Sequence, residues 1–245
     1  SRGLGDVYKR QDIDLSIIQL NKKTEKIDDI KDFIGWLWTL NVKIGHSVRT
    51  IKDIDTITKS DLKEFTSYLS NRIIYCNKNK INYLRQNLKK ISSNWNKAKF
   101  FKAKKLEQQI RYQSFDSTEF SLEPDLKESP GCLRDFQTAL WILEHCFEIK
   151  KLEDCIRTKL FNKTEIENVK RSYGHIKSLR FILNLNGNSN RISFENQLLL
   201  AKKSKLKSSK KSSAVEKFMR AFFLHASNLS DFNELVFQAY EDQLT

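Results

Sequence analysis

Asp12-Ile13-Asp14-Leu15-Ser16-Ile17-Ile18-Gln19-Leu20 is the stretch that decides the fold. Its apolar positions Ile13, Leu15, Ile17, Ile18 and Leu20 support a strand, and on a strand two aspartates at i and i+2 point to the same face. That is the geometry for holding a pair of Mg²⁺ ions against a triphosphate, although a bare Asp-x-Asp also suits a strand edge or a turn. Further on, Val42-Lys43-Ile44-Gly45-His46-Ser47-Val48-Arg49-Thr50 alternates as well. Alternation predicts that Val42, Ile44 and Val48 face the core while Lys43, Ser47 and Arg49 share the opposite face. One strand then offers anions and the other offers cations and a hydroxyl, as nucleotidyl transfer from a metal–triphosphate requires.

Working outward, Asp28 or Asp29 can cap a helix carrying Ile30, Phe33, Ile34, Leu37 and Leu40, whose apolar face Trp36 and Trp38 widen for packing. Thr58 and Asp61 resemble a capping box for a helix bearing Leu62, Phe65, Leu69 and Ile73. Two neighbouring strands with helices on one face and one exposed sheet edge follow as an α/β remnant. From about residue 76 the pattern is helical: Tyr83, Leu84 and Leu88 lead into a long charged helix through Trp95, Phe100, Phe101 and Leu106. A further helix begins with Phe136, Leu140, Trp141 and Leu143. Ser121 to Arg134 holds both prolines and must be an ordered loop or extended segment. Helices are expected over Lys163 to Leu185, Ala214 to Phe223 and Ser230 to Tyr240, with Lys202 to Ser213 a mobile basic loop.

Only 7 Gly and 2 Pro in 245 residues argue against an all-β fold, so the expected class is α+β and mostly α. No run approaches a membrane span and no basic-then-apolar signal segment opens the chain. Cys76, Cys132, Cys146 and Cys155 lack the paired short spacings of a zinc site and read as reduced thiols of a cytoplasmic protein. The formal charge of +14, with runs at Lys78 to Lys90, Lys97 to Lys105 and Lys202 to Lys211, raises an alternative. A noncatalytic basic helical module binding nucleic acid or protein would also carry such runs, but no aromatic-interleaved basic strand or recognition-helix pattern accompanies them. Lysines decorating solvated faces account for the charge without a nucleic-acid partner.

Several of these residues together resemble the bacterial PII uridylyltransferase/uridylyl-removing enzymes, bifunctional enzymes of nitrogen regulation. Asp12-Ile13-Asp14-Leu15 resembles the family's Ser-Asp-Ile-Asp-Leu strand, and Leu37-Trp38 through Thr50 its Leu-Trp-Asp-x-Gly-x-x-x-Gly-His-Ser-Val-Arg-Thr segment. Leu122-Glu123-Pro124-Asp125-Leu126-Lys127-Glu128-Ser129-Pro130-Gly131-Cys132-Leu133-Arg134-Asp135 is similar to its Leu-Glu-Pro-Asn-x-Lys-Glu-Gly-Pro-Gly-Gly-Leu-Arg-Asp. Ala214-Val215-Glu216-Lys217-Phe218-Met219-Arg220 resembles the helix closing its second domain. The four matches are collinear. The resemblance implies a truncated, polymerase-beta-like nucleotidyltransferase remnant over residues 12–75 and a helical uridylyltransferase-associated domain over 76–245. It further implies transfer of UMP from UTP to a tyrosine of the PII signalling protein, with Mg²⁺ as cofactor and no membrane partner.

Within that resemblance Asp12 and Asp14 are the catalytic, metal-ligating pair. Ser47, Arg49 and His46 are nucleotide-binding candidates, with His46 on the Ile44 side by parity and so also readable as structural. Glu128, Arg134 and Asp135 either line the cleft or bind one another across the Pro130-Gly131 turn. Asp61 is a weak candidate for a third carboxylate, with helix capping as its other reading. Residues 1–11 do not match the family's Gly-Gly-Tyr-Gly-Arg-Gly-Glu-Leu stretch; Asp6 to Gln11 resemble translated sequencing adapter, and such a fragment is expected to be inactive alone. Cys132 stands where the family has Gly, raising the question of a positive φ there. Asn184 replaces a usual His, and no His-Asp pair for the family's later hydrolase domain occurs.

Overall fold

The computed structural model describes residues 13–20, 27–39, 44–114, 121–187, 189–209 and 212–244. Residues 1–11, Asp12, Leu40, Val42 and Lys43 lie outside them. The chain divides into two compact units, one ending at Asn96 and the other running Lys97–Thr245.

In the first unit β1 (Ile13–Gln19) pairs in parallel with β2 (Ile44–Thr50). Parallel neighbours need a crossover, and α1 (Ile27–Thr39) lies between them in sequence. Thr50 then caps α2 (Ile51–Thr58) through a capping box with Asp53. Asp61, not Thr58, caps α3 (Leu62–Leu69), its carboxylate accepting the Lys63 and Glu64 N–H groups. Ile54, Tyr68 and Ile91 of α4 (Ile81–Ile91) form a core cluster with Ile18 and Leu88 packed against it. The covered sheet face is therefore that of Ile18, which Ser47 and Arg49, expected opposite the core, share by register, while Val48, expected in the core, is 41% exposed. Alternation shows which residues share a face but not which face a helix covers. The same cluster places α4 in the first unit, which extends past the boundary expected at 75/76.

Trp36 and Trp38 are 55% and 62% exposed, so neither packs inward as expected. The expected long helix across Trp95 is interrupted. The Ser92 and Ser93 hydroxyls bond the Lys89 and Lys90 carbonyls, while Asn94 and Trp95 turn back to donate to Asp55 and Thr58. Serines offering the backbone local bonds end the helix.

The second unit comprises α5 (Lys97–Ser114), α6 (Leu133–His145), α7 (Asp154–Arg157), α8 (Lys163–Asn186), α9 (Phe194–Lys203) and α10 (Ala214–Leu244). Phe136, Phe161, Phe218, Phe222 and Phe232 are among its buried residues. The helices expected over 214–223 and 230–240 are one continuous helix. No Gly or Pro interrupts it, and one of the polar residues in its middle, Asn228, finds a partner in Ser172 of α8. In the segment read as a mobile basic loop, Lys202 and Lys203 finish α9, and Ser209 and Ser212 form an antiparallel bridge. The four cysteines are free. Burial pushes the Cys146 thiol up to about 12 and that of Cys155 up to about 11. Among the described residues no helix is long and apolar enough to cross a membrane.

Candidate functional site

The register pairs Asp14 with Gly45, Ser16 with Ser47 and Ile18 with Arg49. Registered partners of a parallel pair present side chains to the same face, so Asp14, Ser16, Ser47 and Arg49 share one side of the sheet. The Ser47 hydroxyl lies 3.5 Å from that of Ser16, which is 2.9 Å from the Tyr68 hydroxyl of α3. Asp12 lies outside the described residues.

Arg49 stands apart from this group in its electrostatics. Its Nη1 and Nη2 donate to Glu64 at 2.6 and 2.9 Å, a bidentate pair. The Glu64 hydrogen bond is the first cause of a guanidinium pKa raised above its ordinary value. Arg49 is registered four residues beyond Asp14, about 13 Å along the strand, whereas Ser47 is displaced by about 7 Å. Ser47 is thus the near neighbour of Asp14, and Arg49 is a tie between sheet and α3. His46 lies on the other face, exposed, with its ring 5.7 Å from that of Trp38. The structure does not bring it together with Asp14. Asp61, as a helix cap, is already engaged.

Among the described residues no group of three or more His, Cys, Asp or Glu side chains converges. Asp14 alone of the proposed metal ligands is described, and it is an exposed hard-oxygen donor beside two hydroxyls. Such donors suit Mg²⁺.

The Pro130-Gly131 loop belongs to the second unit. It is sewn to residues 190–192 by Leu126 N–H to the Asn190 carbonyl and Ile192 N–H to the Pro124 carbonyl, at 2.9 and 2.8 Å. Asp135 is fully buried. Its carboxylate accepts from Arg111, from the Tyr112 hydroxyl at 2.6 Å and from the Gly131 N–H at 2.6 Å. Asp135 is therefore a structural hub and does not line a cleft, which corrects its place among the site candidates. Glu128 and Arg134 pair with each other at 3.2 Å and remain partly exposed. The positive φ of this loop, +71°, belongs to Gly131, while Cys132 has φ −101°. A Cβ on Gly131 would stand 2.3 Å from the Ala226 carbonyl oxygen of α10, so only Gly fits.

The sequence reading missed Glu64, Tyr68 and Arg111. Each is recognised by its partner in space, and no local spacing announces it.

A carboxylate-bearing parallel strand pair in one unit and a set of helices in the other make up the described residues of this chain. The family model described as GlnD PII-uridylyltransferase matches residues 99–237. The chain belongs to that family. It is 30% identical to a bifunctional uridylyltransferase/uridylyl-removing enzyme of Hydrogenovibrio crunogenus, over 99% of this chain and 28% of that protein. The proteins of the same description from Pseudoalteromonas translucida and Haemophilus influenzae are each 30% identical over 99% of this chain. The chain spans 28% of the length of both.

Proposed function

We propose that this chain forms the uridylyltransferase region of an enzyme that moves UMP from UTP to a tyrosine hydroxyl of the PII signalling protein in the cytoplasm. The tyrosine oxygen gives up its proton to solvent and forms a bond to the α-phosphorus, the bond from that phosphorus to the bridging oxygen breaks, and pyrophosphate leaves. Such chemistry depends on positioning and charge neutralisation more than on a protein nucleophile. Asp12 and Asp14 would hold Mg²⁺, which when bound neutralises charge on the triphosphate. Ser47 lies on the Asp14 face, and its hydroxyl is assigned the role of donor to a phosphate oxygen. Arg49 acts through Glu64, fixing α3 over the sheet.

The observation that carries this reading is the register, which sets Asp14 and Ser47 on one face of a parallel pair in a chain of this family. The test is a chimera in which residues 12–245 replace the matching segment of the Hydrogenovibrio relative. Radiolabelled UMP should pass to PII only with Mg²⁺, and Ser47→Ala should lower transfer about tenfold, the loss of one charge-assisted hydrogen bond. Wild-type rates with Ser47→Ala would remove Ser47 from the site.

A further inference from the structure

In the second unit, Tyr173, Lys177 and Arg180 form a ridge on α8, at i, i+4 and i+7. The Tyr173 ring stacks on Phe136 of α6 at 4.3 Å and 26°, which brings this ridge beside the first turn of α6, where Arg134 lies. At its other end Arg180 donates through Nε to Asn190 Oδ1 at 2.7 Å, and the Asn190 carbonyl holds the Leu126 N–H of the Pro130-Gly131 loop. Arg180 is thus anchored under that loop. Its two Nη groups have no hydrogen-bond partner among the described residues.

The neighbouring carboxylates are already engaged. Asp125 Oδ1 accepts the Lys127 and Glu128 N–H groups, both at 2.8 Å. Glu128 is shared between Arg134 at 3.2 Å and Lys127 at 3.4 Å. Three cations, Lys127, Arg134 and Arg180, therefore face two committed carboxylates. Burial holds the Arg180 guanidinium below its ordinary pKa and Arg134 pushes it the same way, while Asp125 and Glu128 oppose. A half-buried guanidinium with open donors beside a second guanidinium favours an added anion, because the planar fork matches phosphate oxygens.

We infer that Arg180 and Arg134 form an anion site of the second unit for a phosphate-bearing ligand, either the phosphate tail of a nucleotide or free pyrophosphate. This inference does not depend on metal binding at Asp12 and Asp14. In the absence of an anion Glu128 occupies Arg134, and the ligand competes with it for the same donors.

The test is calorimetric titration of the full chain with pyrophosphate in EDTA and low salt, which excludes metal-dependent binding. Arg180→Met should weaken binding at least tenfold and Arg180→Lys by several-fold, since a point charge replaces the fork. Glu128→Gln should tighten it several-fold by removing the competitor. Lys202→Gln with Lys203→Gln controls for general charge. Weakening by that control equal to the loss in Arg180→Met, or unchanged affinity in both Arg180→Met and Arg180→Lys, overturns the inference, as does no tightening in Glu128→Gln. Titrations with UTP, ATP and UMP distinguish the sources. Arg180-dependent binding of both triphosphates marks a nucleotide tail, and binding of pyrophosphate alone marks the free anion. Because Glu128→Gln removes no buried contact of the core, it keeps the proposal testable even where Arg180 variants fold poorly.

Discussion

Replacing Gly131 by Ala should be among the most damaging single-methyl changes in this protein. The backbone there has φ +71°, which an L side chain adopts at a cost of about 1–2 kcal/mol. The added Cβ would stand 2.3 Å from the Ala226 carbonyl oxygen and 2.7 Å from its carbonyl carbon, inside the long helix α10. Neither atom belongs to a flexible side chain, so the loop has to retreat. Retreat pulls the Gly131 N–H from the Asp135 carboxylate, now 2.6 Å away. Losing that charge-assisted bond costs a further ~1.5–3 kcal/mol. The sum, about 2.5–5 kcal/mol, corresponds to a fall of roughly 5–20 °C in Tm for a chain of this length. Thermal unfolding followed by circular dichroism measures it, with Cys132→Gly as the contrast. Cys132 sits at φ −101° and needs no glycine. That variant should lose ~1–2 kcal/mol through the vacated buried volume and backbone entropy. A Gly131→Ala protein within 2 °C of the parent, or a stabilised Cys132→Gly protein, would refute the backbone argument.

Two further predictions concern the packed interior. The His175 and His225 rings face each other across α8 and α10 with centroids 4.2 Å apart. Burial first, and His225 second, push His175 down to about 4 from 6.5, and burial lowers His225 too. The unfolded chain therefore binds more protons, so stability is full above about pH 6.5 and falls as pH drops toward 4. His175→Phe should flatten that dependence in urea titrations between pH 7 and 4, and an unchanged slope would dissociate the pair from it. Asp135→Ala strands Arg111 in the interior, and a loss of about 3–5 kcal/mol is expected in denaturant unfolding.

The parallel pair was legible in the sequence because each strand alternates and the intervening segment has helical spacing. Its orientation was not, since the same alternation permits Val48 or Ile18 to be covered, and only the Ile54, Tyr68 and Ile91 cluster decides. The Glu128–Arg134 pair was one of the two readings the loop allowed. Asp135 was misjudged because a charged residue beside an exposed-looking turn gives no sign of Arg111 and Tyr112 converging on it from α5. The continuity of α10 was missed because polar Ser227, Asn228 and Ser230 look like a break until Asn228 is matched with Ser172. Arg49 shares a face with Asp14 as expected, but that face is the covered one and its partner is Glu64: a bidentate carboxylate fifteen residues on leaves no local pattern.

Whether Asp14 faces the reacting phosphates is read from radiolabelled UMP transfer to PII in the chimeric enzyme. Asp14→Asn preserves the shape of the side chain and removes its charge. Transfer should fall at least a thousandfold at saturating Mg²⁺, about 4 kcal/mol of transition-state stabilisation, with unchanged thermal stability. Transfer within tenfold of the parent would contradict that placement of Asp14 and put the metal-binding carboxylates elsewhere.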